Sequence, residues 1–237
     1  MSLKLNIVGR RKPGTTIADH RHHIRAVHGE MVLRFIEVAP DCAPHRYVQN
    51  AVFDGQYRTT PPGTDPFALN RDFVTQVWVD DFAMLEASRR HPFYNASLKD
   101  DEDNFVDQAT VVFLPSRERQ IVARGDQPPT SVKLFTLMRR AADADPGDYA
   151  KAWVDAAGAA GTLPLRHVQN DVVALPGAAP AADAIDEFWL PNEADARRFL
   201  ASWSAVLADK LVKPGLACPG GVVALLARED VVHAGRT

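Results

Sequence analysis

Short apolar runs and helix-spaced apolar stripes alternate along this chain. Leu3–Gly9, Arg46–Phe53, Phe73–Val79 and Phe105–Leu114 read as strands, because Val, Ile, Tyr and Phe suit a pleated, half-buried surface. Between the first two, Ile17, His20, Ile24, Val27 and Met31 recur near helical spacing behind a Thr15 or Thr16 cap. Gly29 weakens a helix, so His28-Gly29 is expected to interrupt this one, which resumes over Met31–Val38. After the third strand, Asp80 and Asp81 cap a helix with Phe82, Ala83 and Leu85 on its apolar side. His91-Pro92 stops it, and a short helical turn covers Phe93–Lys99. Arg117–Val122 continues the last strand past Pro115. Loops are expected at Arg10–Thr15, between Pro40 and Pro44, and at Gly55–Asp65 around Pro61-Pro62-Gly63. The acidic run Asp100–Asp103 reads as solvated surface.

The same order then returns. Strand patterns cover Val132–Met138, Leu165–Leu175, Ile185–Leu190 and Val222–Ala227 with Val231. Helical patterns cover Pro146–Ala157, Glu193–Leu200 and Val206–Leu211, and Ala178–Ala182 is a loop. Residues return with the pattern. Lys4 is answered by Lys133 (133 − 4 = 129), and Arg10-Arg11 by Arg139-Arg140 at the same offset. Arg46-Tyr47-Val48-Gln49-Asn50 is answered by Arg166-His167-Val168-Gln169-Asn170 (166 − 46 = 120), and Trp78 by Trp189 (189 − 78 = 111). The shrinking offset places deletions in connections, where length change is tolerated. Matching blocks in one order predict an internal duplication, with repeats over 1–124 and 131–237 joined by Gly125–Thr130. Each repeat reads strand-helix-strand-strand-helix-strand, the split βαβ pattern of ferredoxin-like folds. The expected class is α+β: two ferredoxin-like repeats whose antiparallel sheets carry helices on one face and an apolar, otherwise uncovered other face. The two sheets would cover each other as a pseudo-dimeric α/β barrel with a cleft between them.

Composition narrows the function classes. The chain of 237 residues is 46% hydrophobic and 24% charged with a net charge of −3. Nothing concentrates enough positive charge to neutralise nucleic-acid phosphates. Cys42 and Cys218 form neither a metal spacing nor a disulfide framework. The chain enters a strand pattern at Leu3, which predicts no secretory leader, and no apolar run reaches membrane-spanning length. The expectation is a cytoplasmic protein, a monomer with an internal pseudo-dimer or a homodimer, with a small-molecule ligand and no nucleic-acid or membrane partner.

Arg11-Lys12-Pro13-Gly14, His28-Gly29, Tyr47-Val48-Gln49-Asn50, Asp101-Glu102 and Phe105-Val106-Asp107, in that order, resemble the EthD family of the dimeric α/β barrel superfamily. The second half keeps Arg139-Arg140, Val168-Gln169-Asn170 and Glu229, but has Ala157-Gly158 where the first has His28-Gly29. It looks like a degenerate second copy. The resemblance implies a small aromatic, lactone or polyketide-like ligand and chemistry without metal or organic cofactor: proton-transfer isomerisation, decarboxylation or oxygenation. A non-catalytic binding or scaffold protein of the same fold is the alternative, and a haem role has no histidine spacing to support it.

His28 is the first catalytic candidate, because histidine exchanges protons near neutral pH and this one matches the resemblance and is missing from the second copy. It could equally cap a broken helix. Tyr47 and Asp107 are candidates for positioning substrate, and Asp107 could pair with His91 as a relay. Asn50, Trp78, His91 and Tyr94 are candidate substrate contacts. Tyr47 and Asn50 point to opposite faces of their strand, so only one can line a given cavity. Asn50, Gln49 and Trp78 recur in both copies, which fits a role in the fold as readily. His20, His22 and His23 crowd one helical stretch without a third ligand at metal spacing and read as a solvated face.

Overall fold

In a computed structural model, residues 2–59, 65–175, 177 and 179–235 are described. The expected turn at Pro61-Pro62-Gly63 and part of the Ala178–Ala182 loop lie outside them. The chain divides into two compact units, one of residues 1–52, 70–117 and 229–237, the other of 53–69 and 118–228.

The first unit holds β1 (Leu3–Gly9), β2 (Arg46–Gln56), β3 (Phe73–Val79) and β4 (Val112–Ala123), antiparallel in the order β4-β1-β3-β2. Between β1 and β2 lie α1 (Ile17–His22), a π-helical turn over His23–His28, and α2 (Gly29–Val38). Thr16 and Asp19 form a capping box that starts α1. Between β3 and β4 lie α3 (Phe82–Arg90), capped by Asp81, a second π-helical turn over Tyr94–Leu98, and the short α4 (Glu102–Phe105).

The helix does not break at Gly29, whose backbone stays right-handed helical. Its role is close approach: a Cβ there would stand 3.2 Å from the Ile24 carbonyl oxygen and 3.4 Å from Gln49 Nε2. Gln49 donates that amide to Ile24 O at 2.6 Å and so clamps the π turn to β2. Gly29→Ala is expected to gain helix propensity yet destabilise by about 1–2 kcal/mol through overpacking; a urea midpoint at or above the wild type's would show that the contact relaxes.

Two boundaries differ from the sequence reading. Phe105 ends α4, and β4 starts at Val112, because Arg11 bridges to Val106 and Lys12 donates to Phe105 O, drawing 105–106 against the basic turn. The face of the sheet away from the helices is not apolar either. It carries buried Lys4, Asn6, Asn50, Gln76 and Ser116, with Asn6 bonded to Gln76 and Ser116 at 2.7 and 2.9 Å. Polar side chains can be buried there because they pair with one another.

The second unit holds β5 (Val132–Met138), β6 (Arg166–Val172), β7 (Ala184–Leu190) and β8 (Val223–His233) in the order β8-β5-β7-β6, with α5 (Pro146–Ala156) and α6 (Glu193–Leu207). Its contacts repeat those of the first. Trp78 lies between Lys4 and Arg46, and Trp189 between Lys133 and Arg166, in the same strand register. Gln169 donates to Trp153 O as Gln49 does to Ile24 O. Arg140 N donates to Asp183 as Arg11 N does to Asp72.

Candidate functional site

Strand alternation sends Leu5, Ile7, Tyr47, Thr75, Val77 and Phe113 to the helical face of the first unit's sheet. There they floor a pocket whose water-accessible interior is about 120 Å³. Helical residues Ile24, His28, Val32, Phe35, Ser88, Arg89, Tyr94, Leu98, Glu102 and Phe105 complete the walls. This pocket lies on the helical face of the sheet, and the paired polar side chains occupy the other face.

Asp101 organises the polar edge. It is buried, and its two oxygens take His28 Nδ1 at 3.0 Å and His23 Nε2 at 2.8 Å. Burial alone would raise its pKa; the hydrogen bonds from His23, His28 and Asn104 outweigh that and hold it lower, so it stays ionised. His28 moves the other way: burial lowers its pKa against the raising effect of Asp101. Its imidazole is therefore neutral at pH 7, with Nδ1–H donated to the carboxylate and Nε2 without a partner among the described residues. Phe105 stacks on His23 with centroids 4.9 Å apart and tilts against His28 at 5.0 Å, which fixes both rings. Next to them, burial raises the pKa of Glu102, partly opposed by Gln108, and Tyr94 Oη lies 3.5 Å from Glu102 Oε1. A histidine with lowered pKa and a carboxyl with raised pKa thus line one apolar pocket.

The predicted site residues fall into two groups. His28, Tyr47 and Tyr94 line the pocket. Tyr47 is fully buried, its hydroxyl accepts from Gln49 at 2.6 Å, and burial pushes its pKa far up, so it is a neutral phenol. Asp107 faces Arg10 at 3.6 Å, and His91 accepts the Phe93 N–H and tilts against Phe35. Asn50 bonds Val74 O at 2.8 Å on the other face, where Trp78 also lies. The His–Asp hydrogen bonds join Asp101 to His28 and His23 rather than Asp107 to His91. Asp101, Glu102 and His23 escaped the sequence reading of their chemistry, because an acidic run and a histidine-rich helix turn ordinarily face water.

His20 also belongs inside. It is 2% exposed, stacked on Phe73 at 5.2 Å and tilted against Phe105 at 5.8 Å, and neither ring nitrogen has a partner. Burial lowers its pKa from 6.5 to about 4. The unfolded chain therefore binds this proton first as pH falls, so stability intact above pH 6.5 is lost progressively down to pH 4, by about 3 kcal/mol. His20→Phe is expected to remove that increment. Urea unfolding of both proteins at pH 7 and pH 4.5 checks it; equal losses in the two would exclude His20 as the source.

In the second unit, Trp153, Phe188 and Phe199 belong to one buried core, and Trp203 packs against Phe188 at 5.0 Å. His167, in the place of Tyr47, bonds buried Asp186 at 2.8 Å, and Asp186 also accepts from Trp153 Nε1 at 2.9 Å.

Residues 12–109 match the family model of the EthD domain. The matched segment contains the π turn, His28, Tyr47 and the Glu102–Phe105 helix. No curated protein matches the sequence. Among solved structures, an anthrone oxidase-like protein superposes with TM-score 0.61 at 10% identity, over 98% of this chain and 93% of the other. A monooxygenase-titled protein from Lactobacillus acidophilus gives 0.53 at 7%, over 98% and 97%. A mutant chlorite dismutase from Candidatus Nitrospira defluvii gives 0.56 at 9%, over 98% and 92%. At these identities the likeness concerns the fold. Among the described residues, no group of His, Cys, Asp and Glu could hold a metal ion, and no helix is long and apolar enough to cross a membrane.

Proposed function

We propose that the EthD segment is a proton-transfer enzyme for a small aromatic carbonyl compound, working without an organic cofactor. The observation that carries this is the Asp101–His28 pair at the edge of an apolar, aromatic-lined pocket. Asp101 holds Nδ1–H, which leaves Nε2 to take a proton from a carbon next to the substrate carbonyl. The electron pair left on that carbon moves into the carbonyl, giving an enolate or phenolate. Phe35, Phe73 and Phe105 offer flat surfaces for the ring, and the Tyr94 hydroxyl offers a donor for the developing oxygen charge. Return of the proton at another carbon gives an isomer, and reaction with dioxygen gives an oxygenated product; loss of carbon dioxide from a β-keto acid would reach the same enolate by breaking a C–C bond, the enolate then taking up a proton. The likeness to an anthrone oxidase-like protein supports a carbon acid of this kind. We further read the chain as two ferredoxin-like repeats, 1–124 and 131–237, with the second copy's pocket packed shut.

Solvent deuterium exchange tests the reading. Wild-type protein in D₂O is expected to speed exchange of the acidic C–H of anthrone or 2-tetralone, followed by NMR. Binding of these compounds with exchange no faster than buffer would instead support a non-catalytic binding protein.

A further inference from the structure

Ser88 and Arg89 end one wall of the same pocket, on the last turn of α3. Glu102 is the acidic residue of the lining, Arg89 its permanently charged cation. The Arg89 guanidinium stacks over Phe113 at 5.6 Å, and its N–H groups have no hydrogen-bond or ion-pair partner among the described residues. Its helix neighbour Arg90 is by contrast paired, to Glu86 at 3.0 Å. The buried Ser88 hydroxyl likewise has no partner among the described residues. An arginine held on an aromatic face at a pocket wall presents a planar fork of donors, which fits a carboxylate better than a single oxygen.

We propose that the ligand of this pocket is an aromatic carboxylate, its acid group held by Arg89 and Ser88 while its ring lies between Phe113 and the Phe105 side. This deepens the proton-transfer reading and rests on the same pocket, but it concerns binding, not turnover. Arg89 and Ser88 select the substrate; His28 acts on it.

The test uses 1-hydroxy-2-naphthoate and its methyl ester, titrated by fluorescence at pH 8, where His28 is neutral. Wild-type protein is expected to bind the acid at least about tenfold more tightly than the ester, the size of one charge-assisted hydrogen bond. Arg89→Met is expected to abolish that preference by weakening the acid alone, Arg89→Lys to keep part of it, and Ser88→Ala to reduce it a few-fold. Equal affinities in the wild type, or equal weakening of both probes by Arg89→Met, would overturn the assignment and leave Arg89 as a packing residue. Failure of both probes to bind would overturn it together with the pocket reading. His28→Ala separates the two proposals: it is expected to keep the acid preference even where turnover is gone.

Discussion

His28→Ala is expected to lower kcat about 10²- to 10⁴-fold on any carbon acid that the wild type converts, the span of positioned general-base catalysis. The ring is packed on Phe105 and 12% exposed, so the variant should still fold. Binding of the compound should change little, because the apolar walls remain. The pH profile separates a base from a structural histidine. Burial lowers the His28 pKa, so the acid limb of kcat/KM should lie below the ordinary 6.5. Activity is full above that limb and falls as pH drops through it, when Nε2 becomes protonated. Asp101→Asn removes an interaction that raises this pKa, so the limb should move to still lower pH while kcat falls. An unchanged kcat in His28→Ala, or a limb that ignores Asp101→Asn, would sink the mechanism.

Trp153→Ala carries the second large effect, on stability. The indole is buried at the centre of the second unit's core, and its Nε1–H donates to Asp186, which is also fully buried. Truncation removes the packing and leaves that carboxylate with His167 as its remaining donor. The cost is expected at about 3–5 kcal/mol, the range for a large aromatic removed from a core. Urea denaturation at pH 7 measures it. A loss under about 1 kcal/mol would mean that the core closes over the gap.

The sequence by itself determined most of the strands and helices and their order. Strand and helix periods are local properties, written every two or about 3.6 residues. The duplicated Lys-Arg-Trp contacts could be anticipated from Lys4, Arg46 and Trp78 returning at Lys133, Arg166 and Trp189. His28 and Tyr47 were reached from residue type and from the family motif. Only the tertiary structure decided what surrounds them. Asp101 meets His28 across 73 residues of chain and His23 across 78, and no local period encodes such a meeting. Before that contact exists, a run of four acids reads as hydrated surface, and a helix turn with three histidines reads as its equal. The fold also decided which sheet face holds the pocket. Both faces alternate in the same way along a strand; paired amides occupy one of them, and the pocket lies on the helical one.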